Sequence, residues 1–328
     1  MYNYTTFHEK IMNTLINNVR NENPSHAYIF EGVKGMYKAE NARLFANALV
    51  CTDAKNAPCG NCHACIEALA STNPDIIFVE HDKGADGKPK KTIGVDAARK
   101  INADALKKPY GGAKKVFIIP DGENLTVEAQ NALLKTIEEP PEYVVFIIII
   151  PSASQLLQTI TSRSAIISFN PVPADTIKKY IEKKYPDDLP RAEFLSRYCE
   201  GVPGTVDKII ADTEFEELRN KALNIMPFLI SKNEADAFKV SEFANENSDK
   251  IRDIIAMWIS FLRDISLIHC HNEDVLINSD KRKELYAMSR TIDLARCIKG
   301  VELLVESDNM LIKSVKCSAV TLRCALLL

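Results

Sequence analysis

No stretch of this 328-residue sequence is apolar for long enough to cross a bilayer as a helix; the longest run, residues 143–151, falls far short of the ~20 residues required. The opening residues 1–13 mix Tyr, Asn, His and Glu and lack the apolar stretch and small-residue cleavage site of a secretory leader, so export is not expected and a cytoplasmic location is. Positive charge is not in excess either. Lys and Arg number 41 against 44 Asp and Glu, a formal net charge of -3, which excludes a generally basic nucleic-acid binder and leaves only local basic patches. There is no internal repeat and no low-complexity segment. What is present is an ordinary 46% apolar content and length for two or three domains of roughly 100 to 200 residues.

Nine cysteines in an intracellular chain point to thiols or metal ligands instead of disulfides. Cys51, Cys59, Cys62 and Cys65 lie within fifteen residues, supplying four thiolates, the number that closes a tetrahedral zinc site with no open catalytic position. A structural Zn2+ pinning an insert with little core of its own is expected there, over residues 51–65. His63 sits inside the cluster as a competing ligand. The other five, Cys199, Cys270, Cys297, Cys317 and Cys324, are scattered through helical patterns and are expected to be packing residues.

Hydrophobic periodicity over the first half alternates between short β-branched runs and amphipathic helices. Residues 27–30, 76–79, 116–119, 144–150 and 165–169 read as strands, and the all-apolar run at 144–150 as a central parallel strand covered on both faces. Thr126 is placed to cap the helix that carries Ala129, Leu133, Leu134 and Ile137, and Pro140 and Pro141 stop it. An α/β sheet with helices packed on it is implied, over residues 1–169. After a linker at 170–173 strand signals disappear. Helices are expected near 175–184 and 191–200, then a break at 201–204 before another helix, and several longer ones from 214 on, with Trp258, Ile259, Leu262 and Ile265 as one buried face. The expected class is α/β followed by all-α.

Between the first strand and its helix stands Gly32-Val33-Lys34-Gly35-Met36-Tyr37-Lys38-Ala39, where a phosphate-binding loop would offer backbone N–H groups and a helix N-terminus to an anion. Gly32, Gly35 and Lys38 fit that use. Tyr37 replaces the second obligatory glycine, and Ala39 replaces the Ser or Thr that puts a hydroxyl on Mg²⁺. After the strand at 116–119 an ATPase places Asp and Glu to hold the metal and polarise the attacking water; here Pro120 and Asp121 occupy those positions. Ile150 and Pro151 give no polar side chain at the end of the third strand, so productive ATP chemistry is not expected. At the rim of the same sheet, Thr161-Ser162-Arg163-Ser164 carries an arginine that is either a surface ion-pair residue or one that reaches across an interface to a transferring phosphoryl group.

Together with the cysteines, residues 25–32 (Ser-His-Ala-Tyr-Ile-Phe-Glu-Gly), residues 130–141 (Gln-Asn-Ala-Leu-Leu-Lys-Thr-Ile-Glu-Glu-Pro-Pro) and Thr161-Ser162-Arg163 resemble the AAA+ clamp-loader subunits of bacterial DNA polymerase III. The resemblance is close over 7–169, loose around 201–204, and beyond that rests on helical character. It implies a RecA-like parallel-sheet domain with a zinc-binding insert (1–169), a small helical lid (170–212) and a C-terminal helical collar for oligomerisation (213–328). It also implies a ring of tau/gamma and delta subunits that opens the sliding clamp and places it on primed DNA, without a membrane. The motor subunits of that family keep intact ATP motifs and a longer C-terminal region, so the altered loop and an end at Leu328 resemble the rigid, non-motor member. By the same resemblance Arg163, with Ser162, completes a neighbouring motor's ATP site in trans; Ser164 stands where the family has Cys, and Thr205 where motors carry a second sensor arginine. Two other readings stay open: a motor-type ATPase with an atypical loop, and a zinc-dependent nucleic-acid-binding module using the cysteines and the basic Lys88-Pro89-Lys90-Lys91 stretch.

Overall fold

A computed structural model describes residues 7–82, 91–231 and 233–328; of the basic stretch at 88–91, residues 88–90 lie outside them. The chain divides into two compact units, one of Met1–Val172 with Val202–Gly204 and the other of Pro173–Gly201 with Thr205–Leu328.

The first unit runs α1 (Glu9–Arg20), β1 (Ala27–Glu31), α2 (Lys38–Val50), α3 (His63–Leu69), β2 (Ile76–Phe78), α4 (Val95–Ala105), β3 (Lys115–Ile119), α5 (Val127–Glu138), β4 (Val144–Ile150), α6 (Gln158–Thr161) and β5 (Ala165–Ser168). The strands pair in parallel in the order β2-β3-β4-β1-β5. Side chains alternate across the pleat, which gives the sheet two dry faces. Tyr28, Phe30, Val116, Ile118, Val145, Ile147 and Ile149 pack with α1, α2 and α3 on one face. On the other, Ile29, Phe117, Ile119, Phe146, Ile148 and Ile150 pack with α4, α5 and α6. All seven residues of β4 are buried, as the uninterrupted apolar run requires of a central strand.

Polar groups finish the elements. The Thr126 hydroxyl accepts the Ala129 N–H (3.2 Å) at the start of α5. Buried Lys115 donates to the Lys107 (3.0 Å) and Asp104 (3.3 Å) carbonyls, so a cation sits at the negative end of α4. Gln130 links α5 to the segment before α6: its side-chain oxygen accepts the Leu157 N–H (2.8 Å) and its amide donates to the Leu125 carbonyl. The rim segment that carries Arg163 is thereby fixed to α5.

The second unit is helical among its described residues. It comprises α7 (Ala174–Lys184), α8 (Ala192–Tyr198), most of α9 (Pro203–Ala211), α10 (Phe215–Leu229), α11 (Glu234–Glu246), α12 (Ile251–His269), α13 (Arg282–Ser289), α14 (Leu294–Ile312) and α15 (Cys317–Leu327). Trp258, Leu262 and Ile265 are buried as expected; Ile259 is only half-buried. The reason is that α12 is covered on more than one side, with Ile254, Met257, Phe261 and Asp264 also buried. The cysteine expectation needs a correction as well. Cys199, Cys297 and Cys324 are buried, but Cys270 is exposed just beyond α12 and Cys317 is half-buried at the start of α15. Among the described residues no helix is long and apolar enough to cross a membrane.

Candidate functional site

Gly32 leaves β1 with φ +145°, and a Cβ there would meet the Phe169 carbonyl oxygen at 2.5 Å, so glycine is required by close approach. Gly35 follows with φ +90°. Tyr37 caps α2 in the left-handed conformation, φ 54° and ψ 33°, which a residue with a side chain adopts at a cost of roughly 1–2 kcal/mol. Its ring stacks on Phe7, with centroids 5.9 Å apart and planes 9° from parallel, which offsets part of that strain. The loop therefore keeps the backbone course that glycines would give it, with an aromatic side chain added. The Gly204 N–H donates to the Gly35 carbonyl (2.9 Å), so Val202–Gly204 braces the loop from within the first unit.

Lys38, 7% exposed, turns back into this loop. Its ammonium donates to the Gly32 carbonyl and to the Val33 carbonyl (3.0 Å). Burial holds it below the ordinary lysine value, with the Glu123 charge acting in the opposite sense. A phosphate-binding lysine points instead at the anion. The adjoining open cleft of about 330 Å³ is lined by Lys34, Tyr37, Lys38, Asp121, Glu123 and Pro151, among others. Ala39 and Pro120 add no metal ligand to it, and Ile150 is buried in the sheet. Asp121 is paired with His81, Nε2 to Oδ2 3.0 Å. That partner was not visible in the sequence, where His81 stands outside every motif.

The four cysteines come together. Their sulfurs all lie within 4.8 Å of one another, against an edge of about 3.8 Å in a tetrahedron with 2.3 Å zinc–sulfur bonds. Cys51 stands just past α2 and Cys62 just before α3, and backbone N–H groups point at the sulfurs: Cys59 at Cys51 (3.5 Å), Cys62 at Cys59 (3.4 Å), Cys65 at Cys62 (3.4 Å). Burial pushes the Cys51 and Cys65 thiols up, whereas at Cys62 donors on Thr52 and Cys65 outweigh burial and bring the thiol down to about 6. Four converging sulfurs, three of them facing backbone N–H groups, suit a closed metal site, which a metal's charge would complete by holding all four as thiolates. His63 does not enter it; its side chain is 85% exposed and paired with Glu67.

Arg163, two residues beyond α6, is 42% exposed. One terminal nitrogen donates to the Thr159 carbonyl (3.1 Å) and the Ser162 hydroxyl (3.3 Å), and the other pairs with Glu138 (3.2 Å) at the end of α5. Glu138 lies within the motif at 130–141, yet nothing in that string singles it out as the arginine's partner.

The family model for the DNA polymerase III delta subunit matches residues 7–173, which is the first unit almost end to end. Over 276 residues, 83% of this chain and 80% of the relative, the sequence is 28% identical to DNA polymerase III subunit delta' of Bacillus subtilis. It is 33% identical over 160 residues to a gamma/tau subunit of Mycobacterium bovis, covering 48% of this chain but only 27% of that relative's length. A solved gamma-subunit-related protein of Thermotoga maritima aligns over 96% of this chain and 97% of its own at 19% identity and a TM-score of 0.47.

Proposed function

Because the chain belongs to the DNA polymerase III delta-subunit family and has a clamp-loader role, we propose that it fills that role as a delta-prime stator, without hydrolysing ATP itself, while Arg163 serves the ATP site of a neighbouring motor subunit. The observation that carries this reading is the contrast between two cations. Lys38, which should meet this chain's own nucleotide, is buried on its own loop carbonyls. Arg163, which would meet a neighbour's, stands open on the rim of the sheet.

Hydrolysis needs a metal held by hydroxyl and carboxylate and a base for water. Ala39 and Pro120 remove the first, and Asp121 is engaged by His81. An arginine delivered across an interface needs only reach and a fixed base, and its planar fork suits a phosphoryl group. The partners in this reading are gamma/tau and delta subunits, with the sliding clamp and primed DNA met through the assembled complex, in the cytoplasm. The four cysteines hold Zn2+ in a structural role. Residues 170–212 serve as lid and 213–328 as collar.

The test is a loader reconstituted with Arg163→Ala. DNA- and clamp-stimulated hydrolysis at the site it completes falls by about an order of magnitude or more. Unchanged hydrolysis would remove the trans role. Equilibrium titration of the isolated chain with a labelled ATP analogue and Mg²⁺ is expected to show no tight binding; tight binding with turnover would establish a motor instead.

A further inference from the structure

Glu138 ends α5, where the helix dipole is negative and a carboxylate gains nothing from it. Its Oε1 lies 3.2 Å from the Arg163 Nη2, and both side chains are 42% exposed. On the other side of the guanidinium, Nη1 is held by the Thr159 carbonyl and the Ser162 hydroxyl. These three contacts come from two elements, α5 and the turn around α6, and α6 is itself tied to α5 through Gln130 and Leu157. Of the five guanidinium donors, the Nε–H and one Nη2–H are not engaged by these contacts.

We propose that Glu138 is a positioning residue for Arg163, fixing the direction of the guanidinium so that its unengaged donors face outward for a phosphoryl group on the neighbouring subunit. The proposal rests on the trans role of Arg163. An ion pair this exposed is weak and exchangeable. It limits the conformations of a long side chain before the neighbour arrives, yet a phosphoryl group with several charges displaces it. Glu138 thereby lowers the ordering cost of bringing the arginine to the transition state without trapping it.

The experiment uses the loader reconstituted with gamma/tau and delta subunits, clamp and primed DNA, and reads kcat and KM for ATP separately. Glu138→Gln, close in shape and uncharged, is expected to lower kcat about two- to five-fold with KM for ATP unchanged. Glu138→Lys, which repels the arginine, is expected to lower it further. In an Arg163→Ala background both substitutions are expected to do nothing more, since a positioning residue acts only through what it positions. Thermal midpoints of each variant separate these effects from unfolding, and if Glu138→Lys fails to fold, the isosteric Glu138→Gln carries the test alone. An equal drop from Glu138→Gln with and without Arg163, or no drop where Arg163→Ala alone is strongly impaired, would overturn the positioning role. No effect of Arg163→Ala itself would overturn the trans role, a distinct result.

Discussion

The Lys38 ammonium, held by the Gly32 and Val33 carbonyls, is a structural group in this chain. Removing a buried charged donor leaves two loop carbonyls to find other partners, so Lys38→Ala is expected to cost about 1–3 kcal/mol of stability. It should leave loader ATPase unchanged, a pair of outcomes read from the denaturant midpoint and from steady-state hydrolysis. Glu31, at the entrance to the same loop, accepts the Ser168 hydroxyl (2.7 Å) and the Ala153 N–H (3.0 Å), which hold its carboxyl below the usual glutamate value. A depressed carboxyl contributes stability that is complete above its unfolded value and is lost as pH falls through its folded one. Glu31→Gln should therefore be less stable than the parent at pH ~7, with the difference closing below pH ~4; urea titrations at the two pH values decide it. At this scale the sequence shows substitutions better than contacts. Tyr37, Ala39 and Pro120 stand out because each breaks a fixed spacing. The turn of Lys38 back into its loop, the His81–Asp121 pair and the Glu138–Arg163 pair do not, because each depends on where the fold carries a side chain.

Elements were more legible than residues. The strands of the sheet appear in the sequence as short apolar runs to within a residue or two, and the all-apolar run at β4 names the central strand because both faces must be dry. Ile147, fully buried in that strand, tests the packing: Ile147→Ala is expected to cost about 2–5 kcal/mol, measured as a shift in midpoint at constant slope. The cysteine insert was legible for a different reason, since four thiols at short spacing have few structural explanations other than a metal. Its interior is small. Ala57, Ala64 and Cys65 reach the core under α2, while most of residues 52–63 is loop or turn. Loss of the metal should then loosen this insert and spare the sheet. Native mass spectrometry is expected to find one zinc per chain, absent after Cys59→Ser, and hydrogen exchange should accelerate across 51–69 while β3 and β4 stay protected. The five scattered cysteines were less legible, because a helical pattern does not reveal which end of a helix meets solvent, and Cys270 lies just past the end of α12.

For the whole molecule, the division after Val172 falls where the strands end and the described residues become helical. A boundary at 212/213 has no such marker, and the packing in the second unit runs across it. The Arg219 guanidinium sits 3.7 Å over the Phe194 ring while bonding Asp280 and Asn278; Phe194 and Tyr198 also meet Phe215, and Arg197 donates to the Leu276 carbonyl (2.7 Å). Helix α8 thus packs on α7 and also on residues beyond 213. Buried Arg219 is tolerated because its charge is matched by Asp280 and Glu216 and its face by the ring. Removing residues 213–328 would strip Phe194 and Tyr198 of the Phe215 and Arg219 contacts and leave α7 and α8 to rest on their own small shared face. A chain shortened to residues 1–212 is therefore expected to keep a protected parallel sheet while α7 and α8 exchange amide hydrogens rapidly and are cut by protease, and it should fail to join a reconstituted loader. Full protection of α7 and α8 in the shortened chain would mean that residues 170–212 fold as a lid of their own, whatever follows them.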